Sequence, residues 1–206
     1  MDKTFGVDDV KVFDEKILYK GLFGLKKITL SYRLFDGAMS DRIERECFTR
    51  PDAAAVLLYD PNLQKVVLIE QFRVGALGYP DKSPWLFEIV AGIFDSGENA
   101  EAVVVRESQE EAGLVIEKLE SVAQYFPSPG ATKEFLHVYC GKVDASEAGG
   151  IYGLAEEHEN IRVHVVDCQE AFNMVKQNKI TTASTIVALQ WLQLNQAWLD
   201  KHWCHK

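Results

Sequence analysis

Paired cysteines, excess basic residues and long apolar runs are all missing from this 206-residue chain. Its four cysteines, Cys47, Cys140, Cys168 and Cys204, are scattered and form no C-x-x-C pair. That excludes a zinc ribbon or a thioredoxin-type motif and suits a reducing cytoplasm. Lysine and arginine number 22 against 31 acidic residues, a net charge of −9. This balance disfavours nonspecific binding to nucleic acid or a membrane surface, since both need basic patches. No apolar run approaches the roughly 18 residues that span a bilayer. The N-terminal residues show no apolar signal-peptide core, so no secretory signal is expected. Repeats and low-complexity tracts are absent too. What remains is ordinary: 47% hydrophobic residues, enough for the core of one domain or of one domain plus a small addition.

The patterning is mostly β. Residues 27–34 alternate polar and apolar, and 10–13 and 16–19 look like shorter strands. Phe35-Asp36-Gly37 supplies a turn. We read residues 1–48 as a small antiparallel sheet and 49–206 as a larger domain. In that domain, buried-type strands are predicted at 53–59, 66–72 and 85–90, with a loop over 75–84. More strands are predicted around 117–125, 134–143 and 160–166, and helices at 167–177 and 182–200. The mixture predicts an α+β fold, an α/β/α sandwich with a small N-terminal antiparallel sheet. His202, Cys204 and His205 read as a fraying tail rather than as metal ligands.

The most informative stretch is 92–114. Glu107, Glu110 and Glu111 fall within five positions, preceded by Arg106 and closed by Gly113. On a helix, residues three and four apart share a face, so these carboxylates crowd and repel. The cluster calls for a cation, and a hard divalent ion with oxygen ligands fits best. Ala100, Val104, Ser108 and Ala112 recur at i+4 as a packing stripe, with Gly113 suited to the C′ position.

The same stretch matches the Nudix box, Gly-x5-Glu-x7-Arg-Glu-U-x-Glu-Glu-x-Gly-U, where U is a bulky aliphatic. Gly92, Glu98, Arg106, Glu107, Glu110, Glu111, Gly113 and Leu114 all agree; Ser108 stands where the first aliphatic is expected. The chain therefore resembles the Nudix hydrolases, which cleave a nucleoside diphosphate linked to another moiety. By that resemblance Mg²⁺, or Mn²⁺, is held by Glu107, Glu110 and Glu111 and by the carbonyl of Ala91. Arg106 would orient a carboxylate, and Glu98 would tie the loop to the helix.

Three further segments resemble the ADP-ribose pyrophosphatase subgroup. Pro129 lies fifteen residues after Leu114. The acidic loop 153–163 is where that subgroup carries its catalytic base, which maps to Glu157, with Glu159 as second candidate. The strand 66–73 ends in Arg73, a phosphate contact by resemblance. Arg45, Ser128 and Glu134 map to substrate-binding positions. The resemblance implies hydrolysis of ADP-ribose to AMP and ribose 5-phosphate by a cytoplasmic homodimer whose N-terminal sheet is exchanged between subunits. Open alternatives are another nucleoside diphosphate derivative (a nucleotide sugar, NADH or a diadenosine polyphosphate) and a non-catalytic ligand sensor on the same fold.

Overall fold

The computed structural model describes residues 5–204; His205 lies outside them. The chain divides into two compact units, Met1–Pro51 with Phe126–Phe135, and Asp52–Tyr125 with Leu136–Lys206.

The smaller unit is a four-stranded sheet. Its strands are β1 (Val10–Lys20), β2 (Gly24–Tyr32), β3 (Ile43–Thr49) and β9 (Thr132–Lys133), in the order β1-β2-β3-β9. The two short strands expected at 10–13 and 16–19 are one long strand. Its pairing with β2 slips between Val12 and Asp14 and again between Ile17 and Tyr19. Bulges of that kind break the period-two pattern without ending the strand. β3 pairs antiparallel with β2 and parallel with β9, bringing Phe48 opposite Thr132. Phe35-Asp36-Gly37 forms the expected turn, with Gly37 at φ 91°.

The larger unit is built on β4 (Ala53–Asp60), β5 (Lys65–Phe72), β6 (Trp85–Glu88), β7 (Val90–Ile93), β8 (Lys118–Tyr125), β10 (Leu136–Lys142), β11 (Gly150–Tyr152) and β12 (Ile161–Asp167). The main path runs β11-β12-β5-β4-β10-β8, with β6 on β5 and β7 on β4. Among the described residues, only the β4–β10 pairing in this sheet is parallel. Every residue of β4 is buried because the sheet is covered on both faces. Ala55, Leu57 and Tyr59 pack with α2 (Cys168–Lys176) and α3 (Ala183–Trp203). Ala54, Val56 and Leu58 pack with Val103 and Val104 of α1 (Ala100–Ala112). This is the expected α/β/α sandwich, and the alternation of one strand's side chains between two cores is what makes it.

The strand expected at 85–90 divides at Ile89, whose N–H leaves the sheet and is met by Thr185 Oγ1 of α3 at 3.0 Å. That switch lets β6 pair with β5 while β7 pairs with β4. The C-terminal segment does not fray before 203. α3 carries Leu199 and Trp203 into the core, and His202 Nδ1 lies 2.7 Å from the Trp198 carbonyl. Apolar anchors in the last turn outweigh the local tendency to unwind.

Candidate active site

The site is organised by α1. Asn99 caps it, its side chain accepting the Ala102 N–H at 2.8 Å. Gly113 ends it in the left-handed region, φ 66°. The buried stripe is Ala100, Val103, Val104, Ser108, Glu111 and Ala112. A carboxylate therefore sits among the apolar residues, one turn from a buried hydroxyl. Ser108 is fully buried, and its Oγ donates to the Leu114 carbonyl at 2.9 Å. The departure from the aliphatic pattern thus replaces a packing contact with a hydrogen bond to a carbonyl just beyond the helix end.

Arg106 holds the carboxylates together. Its Nε and one terminal nitrogen each donate to Glu98 at 3.0 Å, a bidentate clamp. The other terminal nitrogen reaches Glu107 Oε1 at 2.7 Å and Glu110 Oε2 at 3.1 Å. Hydrogen bonding to Glu98, opposed by burial but reinforced by Glu107, holds the Arg106 pKa above its ordinary value. Glu98 also accepts the Asp95 N–H at 3.0 Å, so it ties the loop before α1 to the helix.

Glu111 faces elsewhere. Its Oε2 accepts the Ala91 N–H from β7 at 3.1 Å, and its side chain has no ion-pair partner among the described residues. Burial pushes its carboxyl up to about 8, and Glu107 and Glu159 add repulsion. Burial likewise pushes Glu107 up to about 7 against the pull of Arg106. Gly92 is the reason Glu107 fits: a Cβ there would stand 1.8 Å from Glu107 Oε1. Among the described residues no ready-made group of three acidic, histidine or cysteine side chains is arranged for a metal ion. The donor chemistry nevertheless fits one. Three glutamates share a single arginine, a fourth is buried beside them, and burial raises two of the four. A hard divalent cation with oxygen ligands would compensate their charge.

The acidic loop reaches the same end of α1. Gly153 N–H donates to the Glu110 carbonyl at 3.4 Å, and the Tyr152 ring lies against Gly113. Glu157 closes a 3-10 turn at Ala155–Glu157. Glu159 Oε2 accepts the Leu154 N–H at 3.2 Å, and its charge is felt by both Glu107 and Glu111. Arg73 follows β5 and pairs with Glu88 of β6 at 2.8 Å. Its charge also reaches Glu111. Sequence reasoning missed Glu88; only the β5–β6 pairing brings it to Arg73.

The remaining predicted residues belong to the smaller unit. Arg45 lies opposite Ile28, its guanidinium donating to the Glu44 carbonyl at 2.9 Å. The Ser128 carbonyl accepts the Thr132 N–H at 2.9 Å in the turn before β9. Glu134 forms an ion pair with Arg50 at 3.3 Å.

This arrangement matches a known domain. The NUDIX domain family covers residues 49–189. The chain belongs to the NUDIX family. It is 44% identical to the ADP-ribose pyrophosphatase of Escherichia coli K12 over 200 residues, spanning 97% of this chain and 95% of that protein. It is 35% identical to the GDP-mannose pyrophosphatase of Cronobacter sakazakii, over 90% of this chain and 96% of that one. A solved ADP compounds hydrolase shares the fold, with a TM-score of 0.68 over 97% of this chain and 99% of that chain at 16% identity. No helix among the described residues is long and apolar enough to cross a membrane.

Proposed function

We propose that this NUDIX protein hydrolyses the diphosphate of ADP-ribose, giving AMP and ribose 5-phosphate, with Mg²⁺ or Mn²⁺ as cofactor. The observation that carries the reading is the pair Glu107 and Glu111, one half-buried and one buried beside β7, with more negative charge than Arg106 balances. Glu107, Glu110, Glu111 and the Ala91 carbonyl are the proposed metal ligands. A cation bound there neutralises phosphoryl charge and acidifies a water. Arg106 orients the neighbouring carboxylates through its hydrogen bonds. Glu157, or Glu159 two residues on, takes the proton from the attacking water. Arg73 meets a phosphate, while Arg45, Ser128 and Glu134 bind substrate.

We also propose a cytoplasmic homodimer in which residues 1–48 are exchanged between copies. Exposed Val10, Val12, Ile17, Leu18 and Tyr19 on the edge strand β1 support it, because a sheet this small buries little by itself. A monomeric mass in solution would remove this model.

Turnover is tested with ADP-ribose, ADP-glucose, GDP-mannose, NADH and diadenosine polyphosphates, reading phosphate released after alkaline phosphatase. Preference for ADP-ribose is expected; equal rates across the panel would sink the substrate assignment. The kinship with GDP-mannose pyrophosphatase favours a nucleotide sugar as second reading. Glu157→Gln and Glu159→Gln separate the two candidate bases. The true base loses kcat by about 10²–10⁴-fold. Retention of turnover by both variants would exclude a base in this loop.

A further inference from the structure

We propose that Glu88 is a positioning residue for Arg73, holding one edge of its guanidinium so that the other is presented to a phosphate of the substrate. This rests on the hydrolase reading above. β5 and β6 pair antiparallel, with Phe72 opposite Trp85 and Ile69 opposite Glu88. The connection between them is closed at its neck by Arg73 N–H to the Pro84 carbonyl at 2.8 Å. Arg73 Nε and Nη2 both lie 2.8 Å from the same Glu88 oxygen, Oε2. Buried Gln71 donates to that oxygen too, at 3.3 Å, which fixes the carboxylate from the sheet side.

Glu88 is nearly enclosed, with a side chain 13% exposed, whereas that of Arg73 is 45% exposed. Nη1 of Arg73 has no partner among the described residues. Guanidinium carries five N–H donors in one plane, so engaging Nε and one Nη2 hydrogen leaves three for a bidentate grip on a phosphate. Both residues line a cavity of about 760 Å³ whose wall also includes Tyr79, Lys82, Trp85 and Lys179. An arginine pinned before substrate arrives gives up less side-chain freedom on binding than a loose one. A purely structural ion pair would instead serve only to join β5 to β6.

A double-mutant cycle in the full chain separates the two. Arg73→Ala and Glu88→Ala are made singly and together, with kcat and KM measured on ADP-ribose and melting temperatures recorded. Each single variant is expected to lose roughly 10- to 100-fold in kcat/KM, and the double no more than Arg73→Ala alone. Glu88→Gln, which keeps an acceptor oxygen, is expected to recover most of the Glu88→Ala loss. Additive losses, or wild-type kinetics in Arg73→Ala, would overturn the proposal. Calorimetric binding of inorganic pyrophosphate provides a second readout, weakened alike in both single variants. A wild type that ignores ADP-ribose defeats the substrate reading alone; unchanged pyrophosphate affinity in Arg73→Ala defeats this one.

Discussion

Replacing Glu111 by glutamine in metal-free protein tests the electrostatics of the site without any assumption about substrate. Glu111 is 2% exposed, and burial pushes its carboxyl from 4.5 to about 8. Between those values the folded chain holds a proton that the unfolded chain releases. Folding stability therefore falls as pH rises through that window and levels off above about 8. Each pH unit costs about 1.4 kcal/mol, so the penalty at pH 7 is about 3 kcal/mol. Glutamine keeps an oxygen for the Ala91 N–H and cannot ionise. In EDTA, wild type and Glu111→Gln should melt together near pH 4.5, where the carboxyl is protonated in the folded chain. At pH 7 the variant should melt higher by roughly 6–12 °C for a chain of this size. Added Mg²⁺ should narrow the gap by stabilising wild type at pH 8 and not the variant. Thermal melts followed by circular dichroism from pH 4.5 to 9 would measure it. Parallel curves in EDTA would show that Glu111 is not a desolvated acid and refute the account of the site.

Gly92→Ala should drive Glu107 off its position, since the new Cβ would meet Oε1 at 1.8 Å. We expect activity to fall about 10- to 100-fold and the Mg²⁺ concentration for half activity to rise, both read from initial rates. Ser108→Ala removes the donor to the Leu114 carbonyl and should cost about 1 kcal/mol in urea unfolding. Gly113→Ala forces a side chain into φ 66° and against the Tyr152 ring, so a loss of about 2 kcal/mol is expected by the same assay.

Much of the fold was legible because its signals are local. The buried runs at 53–59 and 66–72 became β4 and β5 almost unchanged. β3 has no bounds of its own in the sequence pattern, because Glu44, Arg45 and Glu46 mask its alternation. The division of 85–90 could not be read either. It depends on Thr185, 96 positions beyond Ile89, capturing one amide. In the site, the glutamate helix and Glu98 as its tie to the preceding loop were visible in the motif, whereas the clamp of Arg106 on Glu98 was not. Glu88 was not, because it sits fifteen residues from Arg73 and the two meet only through strand pairing.

The sequence by itself determined the helix, its three glutamates, its arginine and its glycine end, since helical geometry places residues four apart on one face whatever surrounds them. Only the tertiary structure decided which glutamates are perturbed. Glu111 packs beneath the helix against β7, Glu107 fills the space above Gly92, and Glu110 stays on the Arg106 side. Desolvation depends on what covers a group, and here the cover comes from β7 folding back against the helix.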